Sequence, residues 1–355
     1  MTWEIVLNVL LMLVGFVLLV KGADFFVDGA AGIAKKLKVS SFIIGATVVA
    51  LGTSAPEMAV TIIDAAGGSG QIIVGNILGS NVINILLILG VSAVICKLPV
   101  EKSTRFIDMP FLVFVSVIFV VFGVFLGAAN TFTWWEGLIL ILLYAAFMAY
   151  NVTLAVKQSK SQLEEATAVS ISSEGAIAGT GTESFAEKLR TGYENLCGKV
   201  WFLIILTVVG LAMVVGGAQL VVNSARYIGS MFLSEEIVAL TVVAFGTSLP
   251  ELVTSVSAAR KGDVGIATGN IIGSNIANIL LIGGLGAICT GSAGLPFSTE
   301  GLVSGLVSLA AAIFIFLSCQ GKSGSIGRVA GIIMLVGLVL YYGFVLANAL
   351  SFHIY

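Results

Sequence analysis

Two glutamates stand deep inside long apolar stretches, in the near-identical segments TVVALGTSAPE (residues 47–57) and TVVAFGTSLPE (residues 241–251). At membrane depth an ionisable side chain costs about 2.5–3.5 kcal/mol, and neither stretch contains a Lys or Arg to neutralise Glu57 or Glu251. Such acids persist where they pair or line a hydrated pathway, so the first chemistry to consider is cation binding. The plainer reading, a protonated glutamate bridging two helices, would have to occur twice at matched positions.

The residues around the acids supply more oxygen. Pro56 and Pro250 directly precede them. A proline inside a helix removes one donor and leaves the carbonyl four residues earlier, Gly52 or Gly246, without a partner. The kink loosens the Thr53 and Thr247 carbonyls too, and bare carbonyls at membrane depth are tolerated only in protein or beside a cavity. Thr53 and Glu57 are four apart and share one helix face.

Downstream, GNILGSNVINIL (75–86) and GNIIGSNIANIL (269–280) place Asn76, Ser80 and Asn84, and Asn270, Ser274 and Asn278, at intervals of four. Polar groups on such a stripe are either interhelical glue, worth about 0.6–2 kcal/mol each, or ligands. For Asn76 and Asn270 the two readings stand level. For Ser80, Asn84, Ser274 and Asn278 the ligand reading leads. The glycines of the same segments, Gly75, Gly79, Gly269 and Gly273, form small-xxx-small pairs suited to close helix packing. The donor set is therefore all oxygen, and the single histidine, His353, lies in the tail. Oxygen donors without sulfur or imidazole select hard cations such as calcium and sodium.

The elements that carry these groups follow from composition. Of 355 residues 58% are hydrophobic and 10% charged, and mean hydropathy is +1.10. Soluble domains carry about 25% charged residues. The apolar runs are continuous, which excludes a membrane barrel of alternating strands. The expected fold is an all-α membrane protein of ten transmembrane helices. Their spans fall at about 4–33, 41–65, 71–95, 107–128, 133–156, 199–228, 236–259, 265–290, 299–319 and 327–350. The first and sixth exceed a straight crossing and must tilt. Residues 1–20 lack a basic stretch ahead of their apolar run, so they form a span that stays and not a cleaved signal peptide. The polar segment 157–198 is expected to be a loop with a short helix at 185–196.

Positive charge sets the orientation. Lys35, Lys36, Lys38, Lys97, Lys102, Arg105, the central Lys157, Lys160, Lys188, Arg190 and Lys199, then Arg260, Lys261, Lys322 and Arg328 all fall on one side. That side is the cytoplasm, which puts both termini outside and the central loop inside, in a multi-pass cell-membrane protein. The two motif pairs share a constant offset of 194 residues. The chain is thus two five-helix repeats, 1–156 and 199–355, and an odd number of spans inverts the second copy. This is a known way to build an alternating-access site at the bilayer midplane.

The paired GTSAPE/GTSLPE and GN-x-x-GSN segments resemble the two alpha repeats of the calcium/cation antiporter superfamily, closest to its prokaryotic sodium/calcium exchangers. The resemblance implies antiport of sodium against calcium at four clustered cation positions. Glu57 and Glu251 would bridge calcium with the Thr53 and Thr247 carbonyls. Sodium would use Ala50, Thr53, Ser54 and Ser80 from one half and Ala244, Thr247, Ser248 and Ser274 from the other, with Asn84 and Asn278 at the centre. Some members carry aspartate where this chain has Asn278. A proton- or potassium-coupled calcium antiporter is the alternative. A channel would not need two matched broken helices, and no catalytic arrangement at membrane depth supports an enzyme. The expected partners are the two ions and the lipid bilayer. A net charge of -2 gives no reason to expect nucleic acid, the unpaired spacing of the four cysteines gives no disulfide framework or zinc site, and no cofactor or obligatory protein partner is expected. Asp24 and Asp28 in the first span either admit cations or pair locally, the second being the simpler reading.

Overall fold

A chain this apolar must satisfy its backbone within each segment, because hydrocarbon offers no hydrogen bonds. The computed structural model describes residues 2–66, 70–125, 130–170, 199–229, 244–321 and 323–351, and nearly all of them are helical. In chain order the helices are α1 (Thr2–Leu37), α2 (Ser41–Thr53), α3 (Ala55–Ala66), α4 (Ile73–Ile95), α5 (Thr104–Phe125) and α6 (Trp134–Ser170). The second half holds α7 (Val200–Gly229), α8 (Ala244–Thr247), α9 (Leu249–Lys261), α10 (Val264–Cys289), α11 (Thr299–Ser318) and α12 (Arg328–Ser351). Among the described residues eight helices are long and apolar enough to cross a membrane, or nine if α2–α3, bent by 45°, is one span. In the ten-helix plan the remaining position falls to α8–α9. Its leading residues 230–243 lie outside the described residues, as do 171–198 with the short helix expected at 185–196.

The expected loop is corrected at its start: α6 continues to Ser170 and takes in residues 157–170. Hydropathy marks where a helix leaves the membrane, not where it ends, and Lys160, Gln162, Leu163, Glu164, Glu165 and Ala166 are all good helix formers. The extension is also anchored, since Gln158 Oε1 accepts the backbone N–H of Ser40 at 2.9 Å.

Burial orders the helices from the centre outward. In α4 and α10, 78% and 83% of the apolar stretch is buried, against 17% in α1 and α12. The outer helices turn Leu10, Leu13, Val17, Ile332 and Val339 outward, as a lipid-facing surface requires. α1 and α7 pack backbone to backbone through glycines. A Cβ added at Gly217 would lie 2.7 Å from the Gly15 oxygen, and one at Gly22 would lie 2.9 Å from the Gly210 oxygen. Gly273 is pressed in the same way onto Ala46 of α2.

Four two-residue strands, which hydropathy does not reveal, clip the halves together. β1 (Leu98–Pro99) pairs antiparallel with β4 (Ser325–Ile326), and β2 (Thr131–Phe132) with β3 (Leu295–Pro296). β1 and β3 each follow the third crossing of their half, and β2 and β4 each precede the fifth. Strands can pair only at one end of the bundle, so an even number of crossings must separate the partners. Six separate β1 from β4 and four separate β2 from β3, provided that α8–α9 counts as a crossing.

Asp24 and Asp28 are paired locally. Lys261 Nζ lies 2.7 Å from Asp28 Oδ1 and 2.8 Å from the Asp24 carbonyl, and Ser257 Oγ donates to Asp24 Oδ1 at 2.7 Å. Beside them, partial burial and then the charge of Asp28 push the Asp263 carboxyl above its ordinary range, with Lys261 offsetting part of the effect.

The glycine seam gives a direct test, because Gly216 meets nothing within 4 Å among the described residues while its neighbour Gly217 is wedged against α1. Gly217→Ala is expected to lower the melting temperature in detergent, an overpacking cost of about 1–3 kcal/mol. Gly216→Ala is expected to leave it unchanged or raise it, since alanine is the better helix former.

Candidate cation site

The two acids open new helices. Glu57 lies in the first turn of α3 and Glu251 in the first turn of α9. The chain breaks at Ser54 (φ -81°, ψ 8°) and at Ser248 (φ -87°, ψ 2°), both in the sparsely populated bridge region. Pro56 and Pro250 therefore occupy a first turn, where a missing N–H interrupts no ladder, and not a helix interior as their sequence context suggests. The consequence is favourable for an anion, because the positive end of each short helix faces its own carboxylate. The backbone N–H of each glutamate donates to its own side chain.

Both glutamates are 1% exposed. Their charges act on each other, and among the described residues no Lys or Arg is a partner of either. Ser54 Oγ donates to Glu251 Oε1 at 3.0 Å, and the Thr53 hydroxyl faces the same carboxylate. The Ser80 hydroxyl of the same half faces Glu57, while from the opposite half the Thr247 hydroxyl lies beside it without closing a hydrogen bond. The second oxygen of each acid, Oε2, is buried and has no hydrogen-bond partner among the described residues. Two further acids, Asp108 and Glu136, are buried outside this centre, each with one oxygen unpartnered among the described residues; Glu136 Oε2 caps α6 by accepting the Thr133 N–H at 2.7 Å and the Thr133 hydroxyl at 2.8 Å.

The polar stripes of α4 and α10 complete the ring. Ser274 Oγ points at the Ala50 carbonyl, 3.5 Å away. Ser80, Ser248, Ser274, Asn84 and Asn278 are all at most 3% exposed, and Ala244 begins α8. Asn84 and Asn278 sit in wide π turns, Ile83–Leu89 and Asn278–Ile282, an irregularity common at functional sites. Two asparagines outside the expected set hold them. Asn84 Nδ2 donates to Asn275 Oδ1 at 2.9 Å, and Asn278 Nδ2 donates to Asn81 Oδ1 at 3.0 Å. Asn81 and Asn275 also reach across to each other's backbone carbonyls at 3.2 and 3.5 Å. Their signal in the sequence is that they recur at the same 194-residue offset and precede Asn84 and Asn278 by three.

The two halves hold different conformations. In one limb Thr53 Oγ1 donates to Asn270 Oδ1 at 3.0 Å, and Asn270 Nδ2 donates to Ser255 Oγ at 2.9 Å. The counterparts by the repeat offset are Thr247, Asn76 and Thr61. There the Thr247 hydroxyl, the Asn76 amide nitrogen and the Thr61 hydroxyl are buried without partners. Asn270 is fully buried, with Gly269 and Gly273 beside it, whereas Asn76 is half-buried and Gly75 exposed. Among the described residues, one limb is closed by hydrogen bonds and the other is not; the counterpart of Ala46, which packs on Gly273, is residue 240 and lies outside the described residues.

The fold and this site define a multi-pass membrane protein built on an inverted repeat around buried acids. The model of the family described as sodium/calcium exchanger protein matches residues 7–153 and, a second time, residues 202–347. An uncharacterised membrane protein of Methanocaldococcus jannaschii is 33% identical over 93% of this chain and 95% of its own length. Sodium/calcium exchanger MaX1 of Methanosarcina acetivorans is 33% identical over 95% of this chain and 98% of its own. The solved structure of the sodium-calcium exchanger NCX_Mj superposes with a TM-score of 0.76 at 30% identity, covering 96% of this chain and 99% of that one. The chain belongs to the sodium/calcium exchanger family.

Two buried like charges without a counter-ion destabilise the empty protein. Glu57→Gln and Glu251→Gln are each expected to raise the melting temperature in ion-free detergent at pH 8. Both should also lose the further rise that calcium gives the unaltered protein. A variant that melts lower without ions yet keeps the calcium effect would show that its carboxylate is a structural group.

Proposed function

We propose that the protein exchanges sodium for calcium across the membrane by alternating access at this site. The observation that carries the reading is the pair of fully buried carboxylates that have, among the described residues, no cationic side chain beside them and sit on matching broken helices ringed by neutral oxygens. A divalent ion between Glu57 and Glu251 cancels both charges at once, and several sodium ions do the same. An empty site would carry its unpaired charge through the low-dielectric middle of the protein, which disfavours switching without cargo. Exchange is thereby made obligatory by electrostatics.

Calcium takes six to eight oxygens, and this ring can supply them. In the proposed arrangement Glu57 and Glu251 hold calcium with the carbonyls of Thr53 and Thr247. Sodium takes Ala50, Thr53, Ser54 and Ser80 on one flank and Ala244, Thr247, Ser248 and Ser274 on the other, and Asn84 and Asn278 face the centre. The matched residues of the two limbs differ in their hydrogen bonding, and this supports alternation, in which the two halves would exchange that difference. The names of MaX1 and NCX_Mj as exchangers of sodium and calcium support the choice of ions. The working units are the repeats 1–156 and 199–355, joined through 157–198, in line with the two stretches that the family model matches. Both termini lie outside and the joining segment inside, as the one-sided run of Lys and Arg requires.

The test is calcium uptake into liposomes loaded with sodium and diluted into sodium-free buffer, with pH clamped. Uptake is expected to need internal sodium and to vanish in Glu57→Ala and Glu251→Ala. Uptake that ignores sodium but follows an imposed proton or potassium gradient would overturn the sodium coupling. Orientation is checked on the same vesicles with a single cysteine placed near residue 160 or residue 353, labelled by an impermeant maleimide from one side.

A further inference from the structure

The four asparagines at the centre of the molecule form two pairs whose geometry decides which way two amides point. An asparagine side chain offers a donor face and an acceptor face, and a half turn about its last bond exchanges them. In a cation site the distinction is decisive, because the oxygen attracts the ion and the amide hydrogens repel it. Asn84 donates its nitrogen to Asn275 Oδ1 at 2.9 Å, and Asn278 donates its nitrogen to Asn81 Oδ1 at 3.0 Å. With the donor faces so occupied, the remaining oxygens, Asn84 Oδ1 and Asn278 Oδ1, are buried and have no hydrogen-bond partner among the described residues. Asn81 and Asn275 are held in turn, each by the bond from its own nitrogen to the other's backbone carbonyl. All four residues are at most 1% exposed, so water does not compete for the amides.

We propose that Asn81 and Asn275 are positioning residues of the cation site: they fix the amides of Asn84 and Asn278 so that both oxygens, and neither nitrogen, face the transported ion. The proposal rests on the exchange site argued above. Without the accepting oxygen of Asn275, the Asn84 amide is free to turn, and the turned form sets a donor against the cation. Asn81 stands in the same relation to Asn278. The arrangement gives the centre two oriented neutral oxygens, so that the formal charge of the empty site stays with Glu57 and Glu251.

The experiment is a double-mutant cycle on the full-length protein in detergent, with calcium binding followed by isothermal titration calorimetry. Asn84→Ala and Asn275→Ala are each expected to raise the half-saturating calcium concentration about tenfold. The double variant is expected to bind no worse than Asn84→Ala alone, because Asn275 acts only through the residue already removed. The pair Asn278→Ala and Asn81→Ala should repeat the pattern. A merely structural role for Asn275 predicts independent effects that multiply in the double variant, and that outcome overturns the proposal, as does unchanged binding in Asn275→Ala. If Asn84→Ala and Asn278→Ala themselves bind calcium normally, the failure lies in the assignment of these amides as ligands. Should Asn275→Ala not yield monodisperse protein, Asn275→Asp and Asn275→Ser take its place. Aspartate keeps the accepting oxygen and is expected to retain binding, serine is too short and is expected to lose it, and the reverse order overturns the proposal.

Discussion

Two carboxylates are buried beside each other where no cationic side chain among the described residues reaches them, and much of the surrounding structure is a response to that burden. Hydrocarbon on the outside and packed apolar side chains within leave the charges little solvation. What solvation exists is local: the positive ends of α3 and α9, hydroxyls on both breaks, and amide oxygens from the central helices. Each of these sources requires an irregular backbone. The breaks at Ser54 and Ser248 bring the carboxylates to helix ends, and the π turns of α4 and α10 carry the amides. The breaks and π turns of this centre lie where protein surrounds them, whereas a further π turn, Thr104–Asp108, opens α5 with Phe106 and Ile107 exposed.

Around this centre the architecture is graded. α4 and α10 are almost wholly enclosed, and α1 and α7 form a separate outer pair joined through glycine backbones. Glycine contacts leave few interlocking side chains along a seam, and Lys261 adds a polar tie between α1 and α9. The strand clips β1–β4 and β2–β3 bind the fourth and fifth crossings of opposite halves at both ends of the bundle. The central layer is therefore tied at top and bottom through its own short links.

Much of this was legible in the chain. Apolar runs gave the crossings because the cost of burying polar groups in lipid is large and periodicity hardly matters. Glu57 and Glu251 stood out for the same reason, and the repeat offset gave the inversion. Three kinds of feature were not legible. The continuation of α6 past the membrane depends on helix propensity, to which hydropathy is blind. Asn81 and Asn275 fall off the four-residue stripe through Ser80 and Asn84, and a reading that assumes an unbroken α period passes over them. The unequal hydrogen bonding of the two limbs cannot be read from either copy, since Thr53-Asn270 and Thr247-Asn76 are the same residue types, bonded in one limb and not in the other.

The strand clips and the asparagine pairs share a formal property. Leu98 meets Ile326 while Leu295 meets Phe132, and Pro99 meets Ser325 while Pro296 meets Thr131. Asn81 meets Asn278 while Asn275 meets Asn84. In each case one half offers a patch that its equivalent on the other half receives, and the offer is returned. That reciprocity is the rule of an isologous interface between identical subunits. The molecule thus carries, within one polypeptide, the contact surface of a two-fold dimer of five-helix proteins inserted in opposite directions. Fusion into a single gene removes the need for two copies to find each other. It also frees the halves to diverge, as they have at Asp28 and Asn223, without dissolving the symmetry that lets one site face both sides of a membrane.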